Sequence, residues 1–131
     1  MVVAWLVMAQ IAATTALTPK DVKLRPAGRY PFNAYYPDAA QRAGVAGDVQ
    51  GRCQVSEGHR LVDCAFLSVT PPGQGFDDSA TRLLPDVLVD PVAKNGQPSA
   101  GRTITFTIVY RSTGLDSVGP SREPDYSVRF K

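Results

Sequence analysis

Hydrophobic and polar residues alternate along residues 48–56 of the chain. A period of two with one polar face predicts a half-buried β-strand. After a tight turn expected at Gly58–His59, residues 60–69 are predicted to return as the second strand of an antiparallel hairpin. The side chains that the first strand points toward a core are Val49, Gly51, Cys53 and Val55.

The position of this turn also predicts which residues face each other across the hairpin. Directly opposite residues share one face of a sheet, with Cβ atoms roughly 4.5–5.5 Å apart. A disulfide needs Cβ atoms about 3.5–4.5 Å apart, so a modest pinch of the hairpin would allow one. We therefore expect a structural disulfide between Cys53 and Cys64, with free buried thiols as the alternative. The opposed pairs are Val55 with Val62, Cys53 with Cys64, and Gly51 with Phe66.

Two other segments have helical patterns. In residues 36–44, Pro37 and Asp38 suit the start of a short helix, and Gly44 suits its end. In residues 76–84 the apolar side chains recur with a helical period, and Pro85 ends the pattern. Both segments are therefore predicted to be helices.

A last strand is predicted at residues 102–110, where apolar side chains alternate with threonines. The order helix, strand, strand, helix, strand predicts an α+β fold with a three-stranded antiparallel sheet and a helix packed on one face. The helical connection is long enough to place the first hairpin strand in the middle of this sheet. Residues 112–131 are rich in Gly, Ser and Pro at their start and are predicted to be a flexible tail.

The last strand would then be an edge of the sheet, with unpaired backbone groups. Such an edge can accept an extended peptide as an extra strand. The alternative is an edge covered by the tail after Arg111. Free edges would also allow a strand-exchanged homodimer. The residues of the predicted peptide-binding edge strand are Thr103, Ile104, Thr105, Phe106, Thr107, Ile108, Val109 and Tyr110.

Residues 1–17 are apolar and uncharged, with Gln10 as the interruption. The segment is shorter than the ~20 residues of a membrane span and resembles the apolar part of a secretory signal. A cleaved signal, an uncleaved inner-membrane anchor and an ordinary buried segment are the three interpretations. The first two agree with a disulfide formed outside the cytoplasm. Residues 18–34 are predicted to be an extended lead-in, that is, a segment without helix or strand that precedes a domain at residues 35–111.

Composition limits the partners and the catalytic or metal-binding sites that the chain is expected to have. The chain has 14 basic and 12 acidic residues, a net charge of +2, and no clustering of basic residues along the sequence. This balance does not favour a nucleic-acid partner. His59 is the single histidine and lies in the predicted turn, so neither Ser68 nor Ser79 has another histidine that could activate it as a nucleophile. Cys53 and Cys64 lack the spacing of a metal site. The sequence therefore predicts no enzyme, no metal site and no cofactor.

Short motifs follow one another in a characteristic order between Tyr36 and about Arg111. They are Tyr36-Pro37-x-x-Ala40, Gly44, Gly47, Val49, Val55, Gly58 and Leu61, followed by Ser68, Pro71, Pro72, Gly75-Phe76-Asp77, Ala80, Pro91, Gly96-Gln97-Pro98 and the strand Ile104–Ile108. This ordered set resembles the TonB C-terminal domain. The cysteine pair resembles one branch of TonB-like domains that carries two cysteines across the first hairpin.

The resemblance implies a periplasmic domain that binds the TonB box, a peptide near the N-terminus of a TonB-dependent outer-membrane receptor. In the family this peptide pairs with the last strand, which is Thr103–Tyr110 here. The resemblance also implies an inner-membrane anchor, the ExbB–ExbD proton-driven motor as a further partner, and energy-coupled transmembrane transport. This chain departs from the family in its short apolar start without a histidine and in having no long proline-rich spacer. The alternative is a stand-alone secreted envelope protein, structural or inhibitory, with the same fold.

Overall fold

The computed structural model describes residues 16–113 and 126–131. Two short 3-10 helices, at Phe32–Tyr35 and Leu84–Asp86, accompany the main elements of these ranges. The main elements are β1 (Leu24–Pro26), α1 (Asp38–Ala43), β2 (Gly47–Val55), β3 (Leu61–Thr70), α2 (Phe76–Leu83), β4 (Val87–Val89), β5 (Thr103–Ser112) and β6 (Tyr126–Phe130).

The main sheet has four antiparallel strands in the order β3-β2-β5-β6. The predicted α+β class with an antiparallel sheet and with β2 between β3 and β5 is confirmed. The prediction of three strands is wrong because residues 126–130, which the sequence assigned to a flexible tail, form the fourth strand. Within the predicted lead-in, β1 pairs with β4 in a small second sheet.

The hairpin loop between β2 and β3 begins one residue earlier than predicted. The Ser56 amide donates to the Arg60 carbonyl at 2.9 Å, which leaves a three-residue loop ending at His59. His59 has φ 63°, the left-handed conformation that a three-residue hairpin loop requires at its last position. As a result Val55 faces Leu61, and its predicted pairing with Val62 is wrong.

A β-bulge restores the predicted register beyond the turn. The pairing of β2 with β3 shifts by one residue between Arg52 and Gln54, so Asp63 and Cys64 together oppose Cys53. A bulge inserts one extra residue into one strand and bends it locally. Beyond the bulge Gly51 faces Phe66, as the sequence predicted.

Helix α2 covers the apolar face of the sheet, and two glycines of β2 make this packing close. A Cβ atom on Gly47 would lie 2.4 Å from the Phe76 ring of α2, and one on Gly51 would lie 2.8 Å from the Phe106 ring of β5. Real Cβ atoms do not approach this closely, so a side chain at either position would displace a buried ring. Gly47 therefore sets how closely α2 approaches the sheet, and Gly51 leaves room for the ring of its cross-strand neighbour.

An aromatic cluster packs in the core between α2 and β5. The rings of Tyr36, Phe76 and Tyr110 contact each other with centroids 4.7–6.0 Å apart. The Tyr110 hydroxyl lies 3.0 Å from the hydroxyl oxygen of Ser79, which also donates to the Tyr35 carbonyl. Burial raises the pKa of Tyr110 to about 12, because the charged phenolate would lose its hydration there.

The N-terminal prediction falls mostly outside the described residues, which begin at Ala16. Leu17 is buried and lies beside β5 in a parallel bridge with Ile104. In the part of the chain that the structure describes, no helix is long and apolar enough to cross a membrane.

Because the pKa of Tyr110 is raised on folding, alkaline pH should destabilise the fold. The unfolded chain ionises this tyrosine near pH 10, whereas the folded chain keeps it neutral to about pH 12. Between pH 8 and pH 11, the free energy of unfolding should fall by about 1.4 kcal/mol more in the wild type than in a Tyr110→Phe variant. Urea unfolding at the two pH values measures this difference, and an equal fall in both proteins would contradict it.

Candidate functional site

The predicted peptide-binding strand, Thr103–Tyr110, is not an edge of the sheet. Along its outer side, Ile108–Ser112 pair with β6. The Thr107 amide donates to the Lys131 carbonyl at 3.1 Å, and the Thr105 amide donates to the Leu17 carbonyl at 2.9 Å. The prediction of a free edge at β5 is therefore wrong, and the alternative of an edge covered by the tail is the one that the structure contains.

Apolar side chains hold β6 in this position. Phe130 packs edge-on against Phe106 of β5 and Phe32 of the first 3-10 helix, with ring centroids 5.3 and 5.2 Å away. Val128 is buried opposite Tyr110. The sequence Tyr-Ser-Val-Arg-Phe carries the period-two signal of a strand. That signal was the available clue to β6, and it was missed because the segment before it is polar.

The outer edge of β6 is blocked by a side chain. Asn33 accepts a hydrogen bond from the Val128 amide at 2.8 Å and donates one to the Tyr126 carbonyl at 3.3 Å. One amide side chain thus occupies a donor and an acceptor that an added strand would need. Covering an edge in this way is a common protection against unwanted strand pairing.

The open edge of the sheet is β3, at the side opposite β6. After Leu61 its residues are exposed, apart from the half-buried Val69. Val62 and Phe66 are each 38% exposed, and Leu67 is 56% exposed. An exposed strand with this many apolar side chains is a ready template for another strand.

Two bulges shape this edge. The first is at Cys53, and the second lies between Gln50 and Gly51, where the pairing shifts from Ser68 to Phe66 and leaves Leu67 without a direct partner on β2. Bulges increase the local twist and re-aim side chains, and they often flank binding sites. They also interrupt the outward row of backbone donors and acceptors, so a partner strand would pair with β3 over short stretches.

A groove runs between β3 and the helical segment that follows it, with a volume of about 220 Å³. Its floor and walls are mostly apolar, and α2 runs back along β3 because the loop after Thr70 reverses the chain. We call it the β3 groove. Its lining residues are Leu61, Val62, Asp63, Cys64, Phe66, Thr81, Leu84 and Pro85.

The two ends of the β3 groove lie near side chains of opposite charge. At the Leu61 end, an Nη atom of Arg60 donates to the Pro85 carbonyl at 3.2 Å. At the other end, the first turn of α2 carries Asp77 and Asp78. Both are neighbours of Thr81 on the helix surface, since residues three and four apart share a face. Asp63 lines the groove as well, so the groove favours an extended segment that carries a cation near the carboxylates of α2.

The predicted disulfide between Cys53 and Cys64 is present and joins β2 to the open edge. Cys53 is fully buried, whereas Cys64 is exposed and lines the groove. The bond crosses the sheet at the first bulge, where pairing between the strands is interrupted. It therefore fixes β3 to its neighbour at the point where the backbone ladder is weakest.

The polar residues considered in the sequence lie apart from one another. His59 ends the hairpin loop, and its carbonyl accepts the Val89 amide at 2.8 Å. Ser68 is exposed on β3, and Ser79 is buried against Tyr110. In residues 16–113 and 126–131, no group of three or more His, Cys, Asp or Glu side chains is placed to hold a metal ion.

No protein-family model matches this chain, and a search of curated proteins finds no match.

Removal of the disulfide should destabilise the fold without changing its topology. The bond closes a loop with a sequence separation of 11 residues, which corresponds to about 2–3 kcal/mol in the chain-entropy account of cross-links. A Cys53→Ala, Cys64→Ala double variant should lose this much free energy of unfolding in urea. The reduced wild type should lose a similar amount. A double variant within about 0.5 kcal/mol of the oxidised wild type would show that the cross-link does not stabilise the fold.

Proposed function

We propose that this chain is a TonB-like periplasmic domain that binds an N-terminal peptide of an outer-membrane receptor by strand addition and takes part in energy-coupled transport. The observation that carries the proposal is the open, apolar edge of β3 beside its groove. Backbone hydrogen bonds to such an edge supply affinity, and pockets for alternate side chains supply specificity. The motif resemblance between Tyr36 and about Arg111 supports the receptor as the source of the peptide.

The β3 groove favours a particular kind of peptide. A strand lying beside β3 turns every second side chain toward the groove, because side chains alternate along a strand. The lining of Leu61, Phe66, Leu84 and Pro85 favours apolar side chains at those positions. In the antiparallel direction, the N-terminal end of the peptide lies near Asp77, so a basic residue there is favoured.

The periplasmic location and the coupling to transport are proposed from the resemblance to the TonB C-terminal domain. A periplasmic location agrees with the Cys53–Cys64 disulfide, since disulfides persist in oxidising compartments. Coupling to ExbB–ExbD would require residues 1–17 to act as an inner-membrane anchor. Leu17 is bonded to β5, and within residues 18–34 the strand β1 pairs with β4, so these residues pack on the domain and do not form a free spacer. The reach available for delivering force to a receptor is accordingly short.

A second candidate function is that of a stand-alone envelope protein that binds no receptor. The closed outer side of β5 favours it, because the strand that the family uses for its peptide is already paired with Leu17 and β6. The Asn33 block on β6 favours it as well. In this case the role would be structural or inhibitory.

Titration with receptor peptides distinguishes the two functions. The probes are synthetic peptides that cover the periplasmic N-terminal segments of the TonB-dependent receptors from the same organism. With isotope-labelled protein, we expect shifts of the NMR resonances of β3, of Thr81 in α2 and of Leu84 in the following 3-10 helix. A Phe66→Thr variant should bind about tenfold more weakly, because it removes apolar surface from the groove. A Tyr30→Thr variant is the matched control, since Tyr30 is 63% exposed and lies outside the groove lining.

Other outcomes of the titration have distinct meanings. Shifts centred on Thr103–Tyr110 with loss of the β6 pairing would keep the receptor as partner and move the peptide to β5. Equal binding by the Phe66→Thr and Tyr30→Thr variants would exclude the groove. No response to any of the receptor peptides would contradict the proposed function and favour the stand-alone protein.

A further inference from the structure

The face of the sheet opposite α2 collects positive charge. Side chains alternate along each strand, and the odd-numbered residues of β5 and β6 and the even-numbered residues of β2 point away from the core. Three of these outward positions are basic, Lys131 follows β6 directly, and Lys20 lies beside them. We call this surface the basic face. Its cations, all exposed, are Lys20, Arg52, Arg111, Arg129 and Lys131.

Few carboxylates oppose these cations. Strands β2, β5 and β6 place one acidic side chain on this face, Asp48, whose carboxylate lies 3.3 Å from an Nη atom of Arg111. Asp21 follows Lys20, but its carboxylate accepts hydrogen bonds from the amide and hydroxyl of Thr18. Five basic and two acidic side chains leave an excess of three positive charges, which exceeds the net charge of +2 of the whole chain.

The basic face is concave and has both polar and apolar parts. A hollow of about 550 Å³ is lined by threonines of β5 together with Lys20, Arg111 and Lys131. An adjoining hollow of about 410 Å³ adds Arg129 and the apolar side chains of Pro19 and Val109. Cations around an apolar floor suit a phosphate-bearing headgroup with the start of its acyl chain.

The first residues that the structure describes lie at the margin of the basic face. Leu17 extends the sheet beside β5, and residues 18–20 continue onto the rim of the larger hollow. The preceding residues 1–15 contain no charged side chain in the sequence. An apolar segment of this length, if inserted in a bilayer, would bring the basic face close to the lipid headgroups.

We propose that the basic face docks on the headgroups of an anionic phospholipid bilayer, next to the point where the apolar N-terminal segment joins the domain. Each Lys or Arg near such a surface adds electrostatic attraction within a Debye length. This docking surface lies opposite the β3 groove, because the groove is built on the side of the sheet that α2 covers. Leu67 of the open edge also lines the larger hollow, so the two surfaces meet at that residue.

Co-sedimentation of the full chain with vesicles tests this docking. The probes are vesicles of phosphatidylcholine alone and vesicles with an equal part of phosphatidylglycerol. Residues 1–15 should contribute binding to both, whereas the basic face should contribute to the anionic vesicles alone. A Lys20→Gln, Arg129→Gln variant should reduce the partition coefficient on anionic vesicles by roughly ten- to thirtyfold and leave binding to neutral vesicles unchanged.

The matched control is an Arg42→Gln, Arg82→Gln variant, which removes the same charge from exposed positions on α1 and α2. It should change the partition coefficient on anionic vesicles less than threefold. An equal loss in both double variants would overturn the proposal, since net charge would then explain the binding. Displacement by inorganic phosphate at constant ionic strength would also overturn it, because that result indicates a site for a free anion.

Discussion

The outer side of β5 is covered by other parts of the chain, and the positions of both candidate surfaces depend on this pairing. The carbonyls of Leu17 and Lys131 accept hydrogen bonds from the amides of Thr105 and Thr107, and β6 pairs with Ile108–Ser112. An unpaired row of backbone groups at this place would be the natural docking edge of the sheet. Because the chain itself occupies it, the open edge lies at β3, and the strands that cover β5 bring further cations onto the polar face.

The apolar and polar faces of the sheet are separated by simple alternation along its strands. On the apolar side, Gly47 and Gly51 admit the rings of Phe76 and Phe106, so the helix and the strands approach closely. On the other side, nearly every position of β2 and β5 is polar or charged. This arrangement would allow one domain to hold a peptide at its edge and groove while its polar face meets a charged surface.

Much of the fold could be predicted from the sequence, because the signals concerned are local and strong. The alternation around Cys53 and the helix before Pro85 follow from periodicity and capping. The pairing of Cys53 with Cys64 was predicted from a turn that lies elsewhere, and the bulge at Cys53 brings the two residues opposite each other. The fourth strand was not predicted, because its period-two pattern spans five residues and follows a polar segment. The hairpin register near the turn depends on the left-handed backbone conformation of His59, and a histidine in the sequence does not predict that conformation.

The candidate sites were harder to predict, since each depends on strands that are distant in sequence. The basic residues do not cluster along the chain, yet Arg52, Arg111 and Arg129 meet on one face when three strands align. The open edge was assigned to β5, and it lies at β3 because the C-terminal strand and Leu17 add to the sheet on the other side. A missed five-residue strand therefore changed the location of the proposed site.

Native-state amide hydrogen exchange is the most direct test of this account. The amides of Thr105 and Thr107 point away from β2 and are bonded to Leu17 and Lys131. They should exchange slowly, with protection close to that of the even-numbered amides of β5, which face β2 and serve as an internal control. Fast exchange at Thr105 and Thr107 beside slow exchange at Ile104 and Phe106 would contradict the account and restore β5 as the free edge.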